Sequence, residues 1–139
     1  MALTAFRRIL FLLALLCCAS AALAQGERAA EIEKASRAIA DIRTAIDENK
    51  VEGSADVEDR LRALRAESRE RLSVIERELE AVRAQIDLLG PAPAETAPPE
   101  SELVAEQRGE LETERARLTG ERTRVLANIY ESGELLGRL

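Results

Sequence analysis

From Val57 to Leu89 the apolar residues return every three or four positions, through Val57, Leu61, Leu64, Ser68, Leu72, Ile75, Leu79, Val82, Ile86 and Leu89. This 33-residue run contains no glycine and no proline. A helix of 3.6 residues per turn gathers such positions into one stripe, and the alternation of three and four is that of a coiled-coil seam. One extra step of four around Ser68 is a stutter, which locally unwinds a left-handed supercoil. A single helix about 50 Å long cannot bury its own stripe, so this pattern demands a partner helix. Gly90 and Pro91 follow at once and form a stop corner with Leu89.

The flanking segments supply two more helices. Between Glu27 and Lys50 the apolar positions are Ile32, Ala35, Ile39, Ile42 and Ile46, again in threes and fours. Asn49, Gly53 and Ser54 break the pattern within residues 48–55, and Asp56 is expected to cap the second helix. Glu58 and Asp59 suit the positive end of that helix dipole. All four prolines lie in a stiff connector over residues 90–102. Beyond it Val104, Leu111, Leu118 and Val125 recur in sevens, while the partner positions Gln107, Glu114 and Arg122 are polar until Ile129 and Leu136. Gly109 and Gly120 each weaken this helix by about 1 kcal/mol relative to alanine, so it too needs a neighbour. The expected fold is all-α: helices over about 27–48, 57–89 and 103–130, the last two an antiparallel coiled-coil hairpin and the first an additional N-terminal helix. Its seam is Leu61, Leu64, Leu72, Ile75, Leu79, Val82 and Ile86 against Leu111, Leu118 and Val125.

The first 24 residues read as an export signal. Arg7 and Arg8 precede the apolar run Ile9 to Leu16, and Ala22-Leu23-Ala24 has the small-x-small form that signal peptidase cuts. Cleavage is expected between Ala24 and Gln25, leaving a periplasmic domain over residues 25–139. The uncharged stretch Ile9 to Ala24 is short of the roughly 20 residues of a membrane span, which makes an uncleaved anchor the lesser alternative. Leu16 before Cys17 argues against a lipoprotein site.

Composition narrows the chemistry. Beyond Ala24 the chain has one aromatic residue, Tyr130, and no cysteine, histidine, tryptophan or methionine. Imidazole and thiolate catalysis, and Cys/His zinc sites, are thereby excluded from that part. Without the signal, 18 basic residues stand against 26 acidic ones, a net charge of −8. An acidic surface poor in aromatics repels phosphates and offers no stacking platform, so nucleic acid is not an expected partner. Glu106, Glu110 and Glu114 share a helix face, but Glu112 with Arg115 and Glu114 with Arg117 account for the region as ion pairs. No catalytic residue, cofactor, metal or small-molecule substrate is expected. Tyr130, Gly133 and Gly137 suit either an aromatic belt near a membrane surface or a frayed end.

Three pieces of sequence carry a resemblance: Gln85-Ile86-Asp87-Leu88-Leu89-Gly90-Pro91-Ala92-Pro93, then Pro98-Pro99-Glu100, then Glu106-Gln107-Arg108 with Leu111. Together they resemble an exported N-terminal domain of uncharacterised function found in bacterial small-conductance mechanosensitive channel proteins. The resemblance covers nearly all of the chain after the signal. It implies a periplasmic accessory domain at the outer face of the inner membrane, biasing gating through its oligomeric arrangement, with self-association or the membrane part of a channel as partner. In such proteins membrane helices and a β-rich vestibule follow; residues 25–139 hold no second hydrophobic run. The expectation is therefore a front piece without the pore. A free periplasmic coiled-coil protein that binds other helical segments is the alternative.

Overall fold

The computed structural model describes residues 26–48, 54–93 and 99–139, and these are helical apart from turns and the corner. Helix α1 covers residues 26–47, α2 runs Ser54–Leu88 and α3 runs Glu102–Leu136. The chain divides into two compact units within α1, between Lys34 and Ala35. Of the first unit, residues 26–34 are described, as the opening turns of α1. Everything below concerns the second, Ala35–Leu139.

Helices α2 and α3 are each 35 residues, about 52 Å at 1.5 Å per residue. They lie side by side as a hairpin. Arg108 reaches Gly90, Arg122 reaches Glu76, and Gly133 lies against Arg65, so numbers on α2 fall as those on α3 rise. The two helices are therefore antiparallel. Residues 35–47 of α1 lie along the far end of the hairpin from the corner. There Ser36 meets Asn128 and Asp47 meets Arg138, which sets α1 parallel to α3.

The ends of the helices follow from local chemistry. α2 begins at Ser54, two residues before Asp56, so Asp56 sits inside the first turn rather than capping it. Its carboxylate still faces the positive end of the dipole. At the other end Gly90 adopts φ +74°, a left-handed conformation that glycine takes without a Cβ clash, and α2 stops. Ser101 caps α3 with extended backbone, its hydroxyl accepting from the Val104 N–H at 3.4 Å. The far end of α3 runs six residues beyond Tyr130, to Leu136, because Leu135 and Leu136 find a core to pack on.

That core is where the three helices meet. Ile39, Ile42, Leu61 and Leu135 are buried together, with Ile46, Val57, Leu64 and Leu136 packed around them. Burying a leucine or isoleucine fully is worth about 1.5–3 kcal/mol, so this cluster anchors one end of the hairpin. Toward the corner the seam continues through Ile75, Leu79 and Val82 of α2 and Leu118 of α3, all buried. Among the described residues, no helix is long and apolar enough to cross a membrane.

Candidate functional site

The corner is built around one side chain. Arg108 projects from the second turn of α3 back across the end of α2 and is 9% exposed. Its Nη1 donates to the Gly90 carbonyl at 3.0 Å and its Nη2 approaches the Leu89 carbonyl at 3.5 Å. The same guanidinium holds Glu100, with Nη2 to Oε1 at 2.5 Å and Nε to the two carboxylate oxygens at 3.2 and 3.3 Å. Only a planar fork of five donors can serve a carboxylate and two carbonyls at once; a lysine ammonium lacks that geometry. The Arg108 hydrogen bond holds the Glu100 carboxyl below its ordinary value near 4.5, and burial opposes this more weakly. Glu100 in turn raises the guanidinium. Around this clamp the surface is apolar: Leu88 is 87% and Leu103 73% exposed, and Pro91, Ala92, Pro93 and Pro99 are exposed beside them.

The opposite end carries polar groups inside the seam. Ser132 is fully buried, and Asn128 and Glu121 nearly so. Ser132 Oγ donates within its own helix, to the Asn128 carbonyl at 2.7 Å and the Ile129 carbonyl at 3.1 Å. Ser36 Oγ of α1 donates to Asn128 Oδ1 at 2.9 Å. Glu121 pairs with Arg117, which also grips Glu114 at 2.5 Å, and these carboxylates raise the Arg117 guanidinium, the Glu114 hydrogen bond most of all. Arg43 pairs with Glu131, and Arg138 pairs with Asp47 at 2.5 Å, tying α1 to α3 at the surface. A shallow cavity of about 370 Å³ opens there, lined by Arg43, Tyr130, Glu131, Glu134, Leu135 and Arg138.

The seam residues read from the sequence fall into two grades. Leu61, Ile75, Leu79, Val82, Leu118 and Val125 are buried, whereas Leu64, Leu72, Ile86 and Leu111 are half-buried at its edges. Leu89, Gly90 and Pro91 form the corner, with the first two under Arg108. Ala24 and Gln25 lie outside the described residues. On α3 the second seam position is displaced from the expected one. Glu121, Asn128 and Leu135 are buried, while Arg122, Ile129 and Leu136 are half-buried and Gln107 is exposed. Hydropathy pointed one residue too far because polar side chains with dedicated partners occupy the true positions. The signal lay in spacing alone: residues 118, 121, 125, 128, 132 and 135 alternate three and four whatever their polarity. Among the described residues, no three His, Cys, Asp or Glu side chains gather as a cation site. No protein-family model, curated protein or solved structure matches this chain.

Proposed function

We propose that this chain is the periplasmic helical domain of a mechanosensitive-channel-type protein, an accessory rod whose α2 and α3 form an antiparallel coiled coil and whose residues 1–24 direct export. One observation carries the reading. The three separate pieces of sequence that resemble the channel-associated domain supply Leu89 and Gly90, Glu100, and Arg108, and the first three residues converge on the guanidinium of the fourth. A chance likeness between two coiled coils concerns seam and surface composition. It gives no reason for the three pieces, which lie within residues 85–111, to supply the members of one contact.

In this reading the hairpin holds a fixed corner at one end, and α3 leads away from it toward the membrane side. A stiff rod of this kind biases gating through how copies of it pack against one another, a mechanism drawn by analogy with the resembled domain. The exposed Leu88 and Leu103 at the corner favour a second reading, a free periplasmic protein that docks another helical segment there. Neither reading involves catalysis, a cofactor or a small-molecule substrate.

Reading the gene beyond the codon for Leu139 separates the two. An open frame encoding apolar runs of about 20 residues supports the channel domain. An immediate stop codon overturns it in favour of the docking protein. Intact-mass analysis of exported material tests the leader: Gln25 as first residue supports cleavage, and retained Met1 opposes it.

A further inference from the structure

We infer that the corner end of the hairpin docks a basic, amphipathic helical segment of another protein. The inference rests on the second reading above, docking at the corner, and adds the chemistry of the partner. Leu88 and Leu103 are almost wholly in solvent. On α2 the contact row passes through buried Val82 to half-buried Ile86 and Leu89, and on α3 through half-buried Val104 to buried Arg108. Neither exposed leucine therefore serves the contact between the two helices. Both are nevertheless tied to one place. Arg108 receives the Leu89 and Gly90 carbonyls, just after Leu88, and the Glu100 carboxylate, three residues before Leu103. Two apolar anchors thus flank one guanidinium, with exposed Pro91, Pro93 and Pro99 beside them. Fixed proline φ angles and a clamped backbone leave little freedom to lose on binding, so the anchors are preorganised for a partner.

Charge identifies that partner. The last turns of α2 and the first of α3, residues 80–88 and 102–112, expose the carboxylates of Glu80, Asp87, Glu102, Glu106, Glu110 and Glu112. Among the described residues of these stretches, Arg83 is the only exposed cation, since Arg108 is buried on Glu100. The far end of the hairpin is balanced instead: five acidic residues against five basic over 54–71, and two against three over 122–139. The apolar tip therefore lies within an excess of negative charge that the rest of the hairpin does not share. A second copy meeting it tip to tip would set six exposed carboxylates against six, and anionic lipid or nucleic acid is repelled for the same reason. A helix with apolar residues on one face and lysine or arginine along its edges meets both requirements, anchors on the leucines and cations on the rim.

The test measures fluorescence anisotropy of labelled peptides of about 18 residues, five turns of helix, added to the full chain. One peptide is leucine and lysine in amphipathic order, a second replaces its lysines by glutamate, and a third replaces its leucines by serine. The leucine–lysine peptide should bind, and the other two should bind at least about tenfold more weakly. Leu88→Ser with Leu103→Ser should weaken the leucine–lysine complex about tenfold. Asp87→Asn with Glu106→Gln should weaken it about threefold, as expected for ion pairs at an exposed rim. Asp41→Asn with Glu134→Gln, exposed carboxylates at the far end, should leave it unchanged. All these substitutions are at exposed positions, so the helices keep their packing. Equal binding by the parent and the double leucine variant overturns the inference. Binding of the leucine–glutamate peptide that depends on Leu88 and Leu103 also overturns it, while leaving docking at the corner in place. Binding of none of the three removes docking at the corner and the inference with it.

Discussion

The two ends of the hairpin are stabilised in opposite ways. At the far end three helices enclose Ile39, Ile42, Leu61 and Leu135, and Asn128 and Ser132 are deep inside, each hydrogen-bonded. At the corner two helices meet, Leu88 and Leu103 face solvent, and order comes from a guanidinium that holds a carboxylate and two carbonyls. Apolar burial supplies most of the free energy in the first case and says little about exact position. Directional hydrogen bonds set position in the second and add less energy. A rod with one end packed and the other clamped can keep a fixed corner without a large core beneath it.

Four substitutions and one titration test that contrast, beginning with the largest effect. Leu61→Ala should cost about 3 kcal/mol in urea unfolding, because its fully buried side chain leaves a cavity among three helices. Leu111→Ala, at the half-buried edge nearer the corner, should cost about 1 kcal/mol, since part of its area already meets water. Equal losses would dissolve the distinction between the two ends. Next, Gly120→Ala should raise stability by about 1 kcal/mol, as a Cβ there meets open space in mid-helix. Gly133→Ala should give back much of that gain, because its Cβ would lie 3.2 Å from Arg65 Cζ and Nη2 and the guanidinium must move. Matching gains at both glycines would mean that the three-helix end packs no more closely than the rest of α3.

The smallest effect is electrostatic and belongs to the corner. The Glu100 carboxyl is held below its ordinary value near 4.5 in the folded chain, so the folded state takes up its proton later than the unfolded state does. Its contribution is therefore complete above the unfolded value and is lost as pH falls through the lower, folded one. The urea midpoint of the wild-type chain should exceed that of Glu100→Gln at pH 7, and the gap should narrow as the pH falls below 4.5 and close once the folded-state carboxyl is protonated. A gap that stays constant with pH would remove the carboxylate from the clamp.

Much of α2 was legible because its seam is written in leucine, isoleucine and valine, and the corner because Gly90 and Pro91 are unambiguous stops. The second seam of α3 was not legible from hydropathy. Glu121, Asn128 and Ser132 are buried there only because Arg117, Ser36 and the helix's own carbonyls receive them, and such partners are set by tertiary structure. The Arg108–Glu100 pair escaped for a related reason. Its members stand eight apart across the start of a helix, outside the three- and four-residue spacings by which ion pairs are read. Asp56 was misplaced as a cap because Ser54 begins the helix two residues sooner.

One consequence of the Arg108 contact concerns the chain that joins the two long helices. The carbonyls just past α2 and the Glu100 carboxylate just before α3 are all received by one side chain of α3, so both ends of the joining chain are gripped by a single residue and a change at Arg108 alone would release both.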